Sequence, residues 1–142
     1  MVNGNNPWEE QHNARLRFSD DGAGGAAQML VELDQVGGGI CILSIEGELD
    51  LYTEPVLRRA LEAAFAHRPT SVVVDLTKCS LIDSTGLGIL VRANKRLNRT
   101  GKARISVACP DRNIRKVFEI TTLDRVFAVH ATRSAALNGA RR

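Results

Sequence analysis

The residue best placed to do chemistry in this chain is Ser84. It lies in residues 82–88, Ile-Asp-Ser-Thr-Gly-Leu-Gly, between an apolar strand pattern and an apolar helical pattern. A hydroxyl at such a junction can carry a phosphate, because a helix N-terminus presents unpaired N–H groups and the positive end of the helix dipole. The alternative interpretation of Ser84 is an ordinary helix N-cap.

The common enzyme motifs are missing from the sequence. There is no Gly-x-Ser-x-Gly elbow, because Ile82 and Asp83 precede Ser84, and there is no Walker or Rossmann glycine motif. The histidines share no metal-ligand spacing with one another or with the cysteines. A hydrolase built on Ser84 would need a general base, and no nearby residue suggests one. We therefore expect a protein that is not an enzyme, without metal or cofactor, in which Ser84 is an acceptor.

Composition predicts one aliphatic domain. The chain has 142 residues, of which 44% are hydrophobic and 4% aromatic. No apolar run reaches the length of a membrane span, and the N-terminal residues lack the pattern of a signal peptide. Three cysteines, an odd number, argue against a secreted disulfide scaffold. We expect a cytoplasmic protein without a membrane partner.

Strand and helix patterns alternate along the chain. Two strands around the glycines at 37–39 predict a hairpin, Thr53 can cap the helix that follows, and the apolar run 72–74 predicts a central strand covered on both faces. The later segments are a helix after Ser84, a strand at 103–108, a helix capped by Asp111, a strand at 126–129 and a helix at 132–137. The order ββαβαβαβα predicts an α/β fold, a mostly parallel sheet with an N-terminal β-hairpin and helices from βα units.

Domain boundaries follow from composition. Residues 1–28 are rich in Asn, Gly and acidic side chains and predict a flexible N-terminal tail, because such a segment buries too little to offset its ordering entropy. The domain is predicted over residues 29–138. Residues 139–142 form a predicted C-terminal tail.

Charge is unevenly distributed. Residues 1–62 carry 4 basic and 11 acidic side chains, whereas residues 92–116 carry 9 basic and one acidic. Four of these cations share one helical face, at i, i+3, i+4 and i+7: Arg92, Lys95, Arg96 and Arg99. The face can serve solubility or can steer an acidic protein partner. No zinc-finger or RNP-like motif accompanies the basic block, so we expect no nucleic-acid partner.

The same residues resemble a known family. Residues 47–50 (Gly-Glu-Leu-Asp), Thr53 at a helix start, the Asp83-Ser84-Thr85-Gly86-Leu87-Gly88 motif and the segment 112–118 resemble the STAS domain of bacterial anti-sigma factor antagonists. The resemblance covers about residues 30–138.

The resemblance implies a partner switch. The unmodified antagonist would bind an anti-sigma factor that is also a serine kinase, and phosphorylation at the position of Ser84 would release it until a serine phosphatase resets the switch. Asp50 matches a position implicated in partner or nucleotide contact, and Asp83 and Thr85 flank the acceptor. Gly86 would either allow close approach of the partner or pack the helix tightly onto the sheet.

Other interpretations remain open at this point. The chain could be a STAS module for ligand sensing or scaffolding, or a small nucleotide-hydrolysing enzyme, which the missing phosphate loop disfavours. Cys79 and Cys109 each follow strands predicted to be adjacent, and two ordinary thiols are favoured over a redox pair.

Overall fold

A computed structural model describes residues 15–20, 28–99 and 104–141. Its strands are β1 (Arg15–Ser19), β2 (Met29–Val36), β3 (Ile40–Leu49), β4 (Ser71–Ile82), β5 (Arg104–Ala108) and β6 (Ala128–His130). Its helices are α1 (Glu54–Ala66), α2 (Ser84–Asn98), α3 (Arg112–Ile120) and α4 (Arg133–Ala140), with a 3₁₀ turn at Leu123–Arg125.

The strands form one sheet in chain order, β1 to β6. β1, β2 and β3 pair antiparallel, and β3, β4, β5 and β6 pair parallel. The predicted hairpin joins β2 to β3, where Gly38 and Gly39 take positive φ angles of 85° and 77° that other residues adopt only with strain. The predicted mostly parallel sheet with an N-terminal hairpin is therefore confirmed.

The two faces of the sheet are covered unequally. Helices α1, α2 and α3 pack their apolar stripes on one face and enclose the main core, which includes Leu57, Leu90 and Phe118. Helix α4 covers part of the other face over a smaller apolar cluster around Ile42 and Ala136. Val72, Val73 and Val74 are fully buried, as predicted for a central strand.

Strand β1 lies inside the segment predicted to be a flexible tail. It pairs with β2 in the register Arg15↔Asp34 to Ser19↔Leu30, and Phe18 packs against the main core. Arg15 and Arg17 form ion pairs with Glu32 and Asp34 across the strands. Composition alone did not reveal this strand, because it buries one apolar side chain and is held mainly by backbone pairing and ion pairs. The rest of that prediction, residues 1–14 and 21–27, lies outside the described residues.

Three other boundaries differ from the predictions. β4 continues to Ile82, well past the apolar run 72–74 that predicted it, because its ladder with β3 resumes after two irregularities. β6 begins at Ala128, since Val126 ends the 3₁₀ turn instead. Helix α4 continues to Ala140, past the predicted domain end at 138. No helix within the described ranges is long and apolar enough to cross a membrane.

Candidate functional site

The site lies where the two central parallel strands end together. Leu49, the last residue of β3, pairs with Ile82, the last residue of β4. Asp50 and Asp83 follow these residues directly, and the backbone N–H of Asp83 donates to the Leu49 carbonyl at 3.1 Å. The parallel register therefore brings the Asp50 loop beside the start of α2, although 32 residues of sequence separate the two strand ends.

Asp83, and not Ser84, is the N-cap of α2. Its carboxylate accepts a hydrogen bond from the Gly86 N–H at 3.0 Å, and its backbone is extended, with φ −108° and ψ −177°. The N-cap interpretation of Ser84 is therefore wrong, because the preceding aspartate takes that place. Ser84 is the first helical residue and is exposed. Its hydroxyl makes no hydrogen bond to any described residue, so it is not needed to stabilise the fold.

The Asp50 loop is ordered by its own side chains. Asp50 Oδ1 accepts hydrogen bonds from the backbone N–H of Tyr52 at 2.9 Å and of Thr53 at 3.0 Å. The Thr53 hydroxyl does not cap α1; it donates to the Glu48 carbonyl at 2.6 Å and is fully buried. The prediction that Thr53 lies at the start of α1 is confirmed, but its hydroxyl stabilises the preceding loop instead of capping the helix. Asp50 is half-buried, and its Oδ1 is engaged by the two hydrogen bonds of the turn.

Gly86 and Gly88 have different surroundings. A Cβ on Gly86 would lie 2.5 Å from Leu49 Cγ and 3.1 Å from the Leu49 carbonyl oxygen, so this glycine lets α2 approach the end of β3. A Cβ on Gly88 would meet only Arg92 Nη1, at 3.5 Å. Of the two interpretations predicted for Gly86, tight packing of the helix onto the sheet is the one that the structure supports. Thr85, between Ser84 and Gly86, is half-buried.

Exposed apolar side chains surround the junction. Leu51 is 61% exposed, Tyr52 is 82% exposed and Leu81 is 45% exposed, all within two residues of Asp50 or Ile82. We call Asp50, Leu51, Tyr52, Leu81 and Ser84 the acceptor surface. The three apolar members were not predicted, and their proximity to Asp50 or Ser84 in the chain is the signal that pointed to them. Exposed aromatic and aliphatic side chains around a polar centre are typical of a protein-binding surface.

The predicted basic face on α2 is only partly free. Arg96 forms an ion pair with Glu62 of α1, and its guanidinium lies 4.6 Å from the centre of the Phe65 ring. Arg92 is exposed and, among the described residues, has no carboxylate partner. Arg96 therefore links α1 to α2, whereas Arg92 remains available to a partner.

A polar groove lies on the other face of the sheet. It has a volume of about 410 Å³. Its charged lining consists of three cations and four carboxylates that form ion pairs with one another: Arg15, Lys78, Arg133, Glu32, Asp34, Glu46 and Asp75. Arg133 of α4 bonds to Asp75 at 3.4 Å and lies 3.9 Å from Asp34, and Lys78 lies 3.7 Å from Glu46. Asp75 lies inside β4 and accepts a hydrogen bond from the Thr77 N–H at 2.9 Å. The pairs of Arg133 hold α4 to the sheet, and the Lys78–Glu46 pair joins β4 to β3.

The three cysteines are buried, free thiols. Burial raises the pKa of the Cys41 thiol and that of the Cys109 thiol to about 11, and it also raises the pKa of Cys79. Protonated thiols are poor nucleophiles and poor metal ligands. No group of three His, Cys, Asp or Glu side chains in the described ranges is arranged to hold a metal ion.

These features define the class of the protein: a small α/β domain with a mostly parallel sheet and an exposed serine where its central strands end. The sequence profile of the STAS domain matches residues 32–136, so the chain belongs to the STAS domain family. The family resemblance noted in the sequence is thereby confirmed.

Two sequence relatives and one solved structure that match this chain are named anti-sigma factor antagonists. The chain is 32% identical over 103 residues to the anti-sigma-F factor antagonist RsfB of Mycobacterium tuberculosis, covering 72% of this chain and 83% of that protein. It is 36% identical over 85 residues to the anti-sigma-B factor antagonist of Listeria monocytogenes, covering 60% of this chain and 74% of that protein. The crystal structure of an anti-sigma factor antagonist from Mycobacterium paratuberculosis superposes with a TM-score of 0.70 at 27% identity, covering 80% of this chain and 95% of that one.

Proposed function

We propose that this protein is an anti-sigma factor antagonist that binds an anti-sigma factor with serine-kinase activity and is switched off by phosphorylation of Ser84. Family membership and the names of the relatives support the antagonist role. The observation that carries the switch is the exposed Ser84 hydroxyl, which makes no hydrogen bond to any described residue and belongs to the acceptor surface. Binding of the unmodified protein would sequester the anti-sigma factor and free the sigma factor.

The acceptor surface suggests how the partner is held. Leu51, Tyr52 and Leu81 would be covered by the partner, and burying an exposed aromatic side chain is a common source of binding energy. Asp50, Asp83 and Thr85 would form the polar surroundings in which the kinase recognises Ser84, while Gly86 packs beneath them against Leu49. Arg92 and Arg96 would extend the contact along α2 toward an acidic part of the partner.

Phosphorylation would act through charge. The γ-phosphoryl group of ATP is transferred to Ser84 Oγ, ADP leaves, and the hydroxyl proton passes to a base of the kinase or to solvent. The modified serine carries about −1.5 to −2 charges at neutral pH. The position at the start of α2 tolerates this charge within the domain. Against the partner the new charge is desolvated beside the carboxylates of Asp50 and Asp83, so the complex dissociates. A serine phosphatase would then restore the hydroxyl.

Mapping of the phosphate tests the proposal directly. The protein is incubated with its cognate anti-sigma factor, ATP and magnesium, then analysed by intact mass and peptide mapping. We expect one phosphate, on Ser84, and none on the Ser84→Ala variant. A phosphate on Thr85 or Ser80 with Ser84 unmodified would refute the assignment. ATP turnover by the protein alone would instead favour the nucleotide-hydrolysing alternative.

A further inference from the structure

Ser84 shares a row on α2 with Gly88 and Arg92. The proposed switch gives no role to Gly88, and none to Arg92 once Ser84 is phosphorylated. Ser84, Gly88 and Arg92 are spaced four residues apart, so they follow one another along the same side of the helix. Helical side chains lean toward the N-terminus, which directs a long side chain at position 92 back over position 88. The structure shows this arrangement, because Arg92 Nη1 would lie 3.5 Å from a Cβ on Gly88.

Gly88 leaves the space between Ser84 and Arg92 open. No other heavy atom of the described residues would come within 4 Å of a Cβ at this position, apart from chain neighbours and the helix backbone. Ser84 and Gly88 are four residues apart, which corresponds to a rise of about 6 Å along the helix. A phosphate on Ser84 and a guanidinium lying over Gly88 can meet across this distance. A larger side chain at position 88 would stand in that path.

Arg92 also differs from the other arginines that line the cleft between α1 and α2. Arg58 pairs with Glu54, and Arg96 pairs with Glu62. Arg92 lines the same cleft, of about 260 Å³, without a carboxylate partner among the described residues. A guanidinium forms bidentate, charge-assisted hydrogen bonds with phosphate, and so Arg92 has unused capacity of the kind that a phosphoserine requires.

We propose that Arg92 binds the phosphate on Ser84 within the same chain. The inference rests on the proposed function only for the identity of the modified serine. In the unmodified protein Arg92 is free to contact the partner. After phosphorylation it turns to the phosphate across Gly88, so that the modification both adds negative charge and withdraws a positive one from the docking surface.

The titration of the phosphate tests this contact. Phosphoserine is encoded at position 84 during synthesis, so no kinase is needed, and ³¹P NMR follows its second ionisation, which is ordinarily near pH 6. A neighbouring guanidinium stabilises the dianion and lowers this pKa. We expect the pKa to be lower in the otherwise unchanged protein than in Arg92→Gln by about half a unit, the size appropriate to an exposed pair.

Matched variants separate a contact from a general field. Lys95→Gln removes an exposed cation from the same helix and should leave the phosphate pKa close to that of the parent. Arg92→Lys keeps the charge without the planar fork and should give an intermediate value. Equal pKa values in the parent and Arg92→Gln would overturn the proposal. An equal change in Lys95→Gln and Arg92→Gln would overturn it too, because the effect would then come from net charge.

A second measurement uses the parent protein alone. The guanidinium resonances of Arg92, assigned by ¹⁵N NMR, should shift between the forms with serine and with phosphoserine at position 84, whereas those of Arg99 should not. An unchanged Arg92 resonance would contradict the contact even if the variants proved unstable. If phosphate mapping and partner release are as expected but the Arg92 resonances do not shift, only the contact between Arg92 and the phosphate is refuted. Failure of the kinase to modify Ser84 would refute the proposed function and leave the encoded-phosphoserine result standing.

Discussion

Two glycines in the first turns of α2 differ in how closely other parts of the domain pack against them. Gly86 stands against the fully buried side chain of Leu49, and Gly88 faces open space beside the end of a flexible arginine. Both are helical, so neither needs the positive φ that favours glycine. The sequence motif contains both residues without distinguishing them. The two roles differ because the parallel register places the end of β3 beside Gly86 and not beside Gly88.

The pair gives a stability prediction of opposite signs. Gly86→Ala should lower the free energy of unfolding by about 1–3 kcal/mol, because the methyl group overpacks against Leu49. Gly88→Ala should raise it by about 0.5–1 kcal/mol, because alanine loses less conformational entropy in a helix and has room here. Chemical denaturation of both variants measures the two changes. Similar effects in both would show that α2 does not approach β3 as described.

At the level of elements, α2 connects the acceptor surface to the basic face. Its N-terminus carries Ser84, its middle carries Arg92, and Arg96 joins it to α1 through Glu62 and Phe65. The sequence predicted the shared face of the cations from their spacing. It could not predict that Arg96 has partners within the domain, because these lie on another helix, 34 residues away in the case of Glu62.

Charge reversal on α2 should separate docking from stability. Arg92→Glu should slow association with an acidic partner and weaken the salt dependence of the rate, with a melting temperature near that of the parent. Arg96→Glu should in addition lower stability by about 1 kcal/mol, because an exposed ion pair and a cation–π contact are lost. Stopped-flow association at low and moderate salt, with thermal melting, measures both effects. Unchanged association rates for Arg92→Glu would identify this face as a solvated surface.

The boundaries of the strands and helices were predicted correctly where local sequence rules determine them. The hairpin, the buried central strand and the capping of α3 by Asp111 follow local rules, and all three are confirmed. The extension of β4 to Ile82 depends on pairing with β3 across irregularities, which no local pattern encodes. Strand β1 depends on cross-strand ion pairs and one packed aromatic ring. Long-range pairing therefore explains why β1 was missed and why β4 is longer than predicted.

At the scale of the whole molecule, the aliphatic core encloses three thiols. Burial raises the pKa of Cys41 and that of Cys109 to about 11, whereas thiols of the unfolded chain ionise near pH 8.5. Between these values the unfolded chain releases protons that the folded chain retains. The free energy of unfolding therefore falls as pH rises through this window.

We expect this loss to reach about 2 kcal/mol per thiol by pH 10. Urea denaturation between pH 8 and pH 10 measures it in the parent and in the double variant Cys41→Ala/Cys109→Ala. The variant has a lower stability throughout, because two buried side chains are shortened, but its dependence on pH should be flatter. Parallel pH profiles in the two proteins would show that these thiols are not buried in the folded state.

The candidate site was predictable only in part. The position of Ser84 at a strand-to-helix junction followed from local patterns, as did its neighbour Asp83, whereas the capping role of Asp83 required the backbone geometry. The approach of the Asp50 loop to Ser84 depends on the parallel pairing of β3 and β4. The exposure of Leu51, Tyr52 and Leu81 became evident only in the folded surface, since apolar residues in sequence are expected inside.

The central claim is that the charge state of Ser84 decides whether the protein binds its partner. Isothermal titration of the cognate anti-sigma factor with the unmodified protein, the form phosphorylated on Ser84 and the Ser84→Ala variant tests it most directly. We predict similar tight binding by the unmodified protein and Ser84→Ala, and affinity weaker by about 10²–10³-fold, or 3–4 kcal/mol, for the phosphorylated form. Equal affinity of the phosphorylated and unmodified forms would contradict the account.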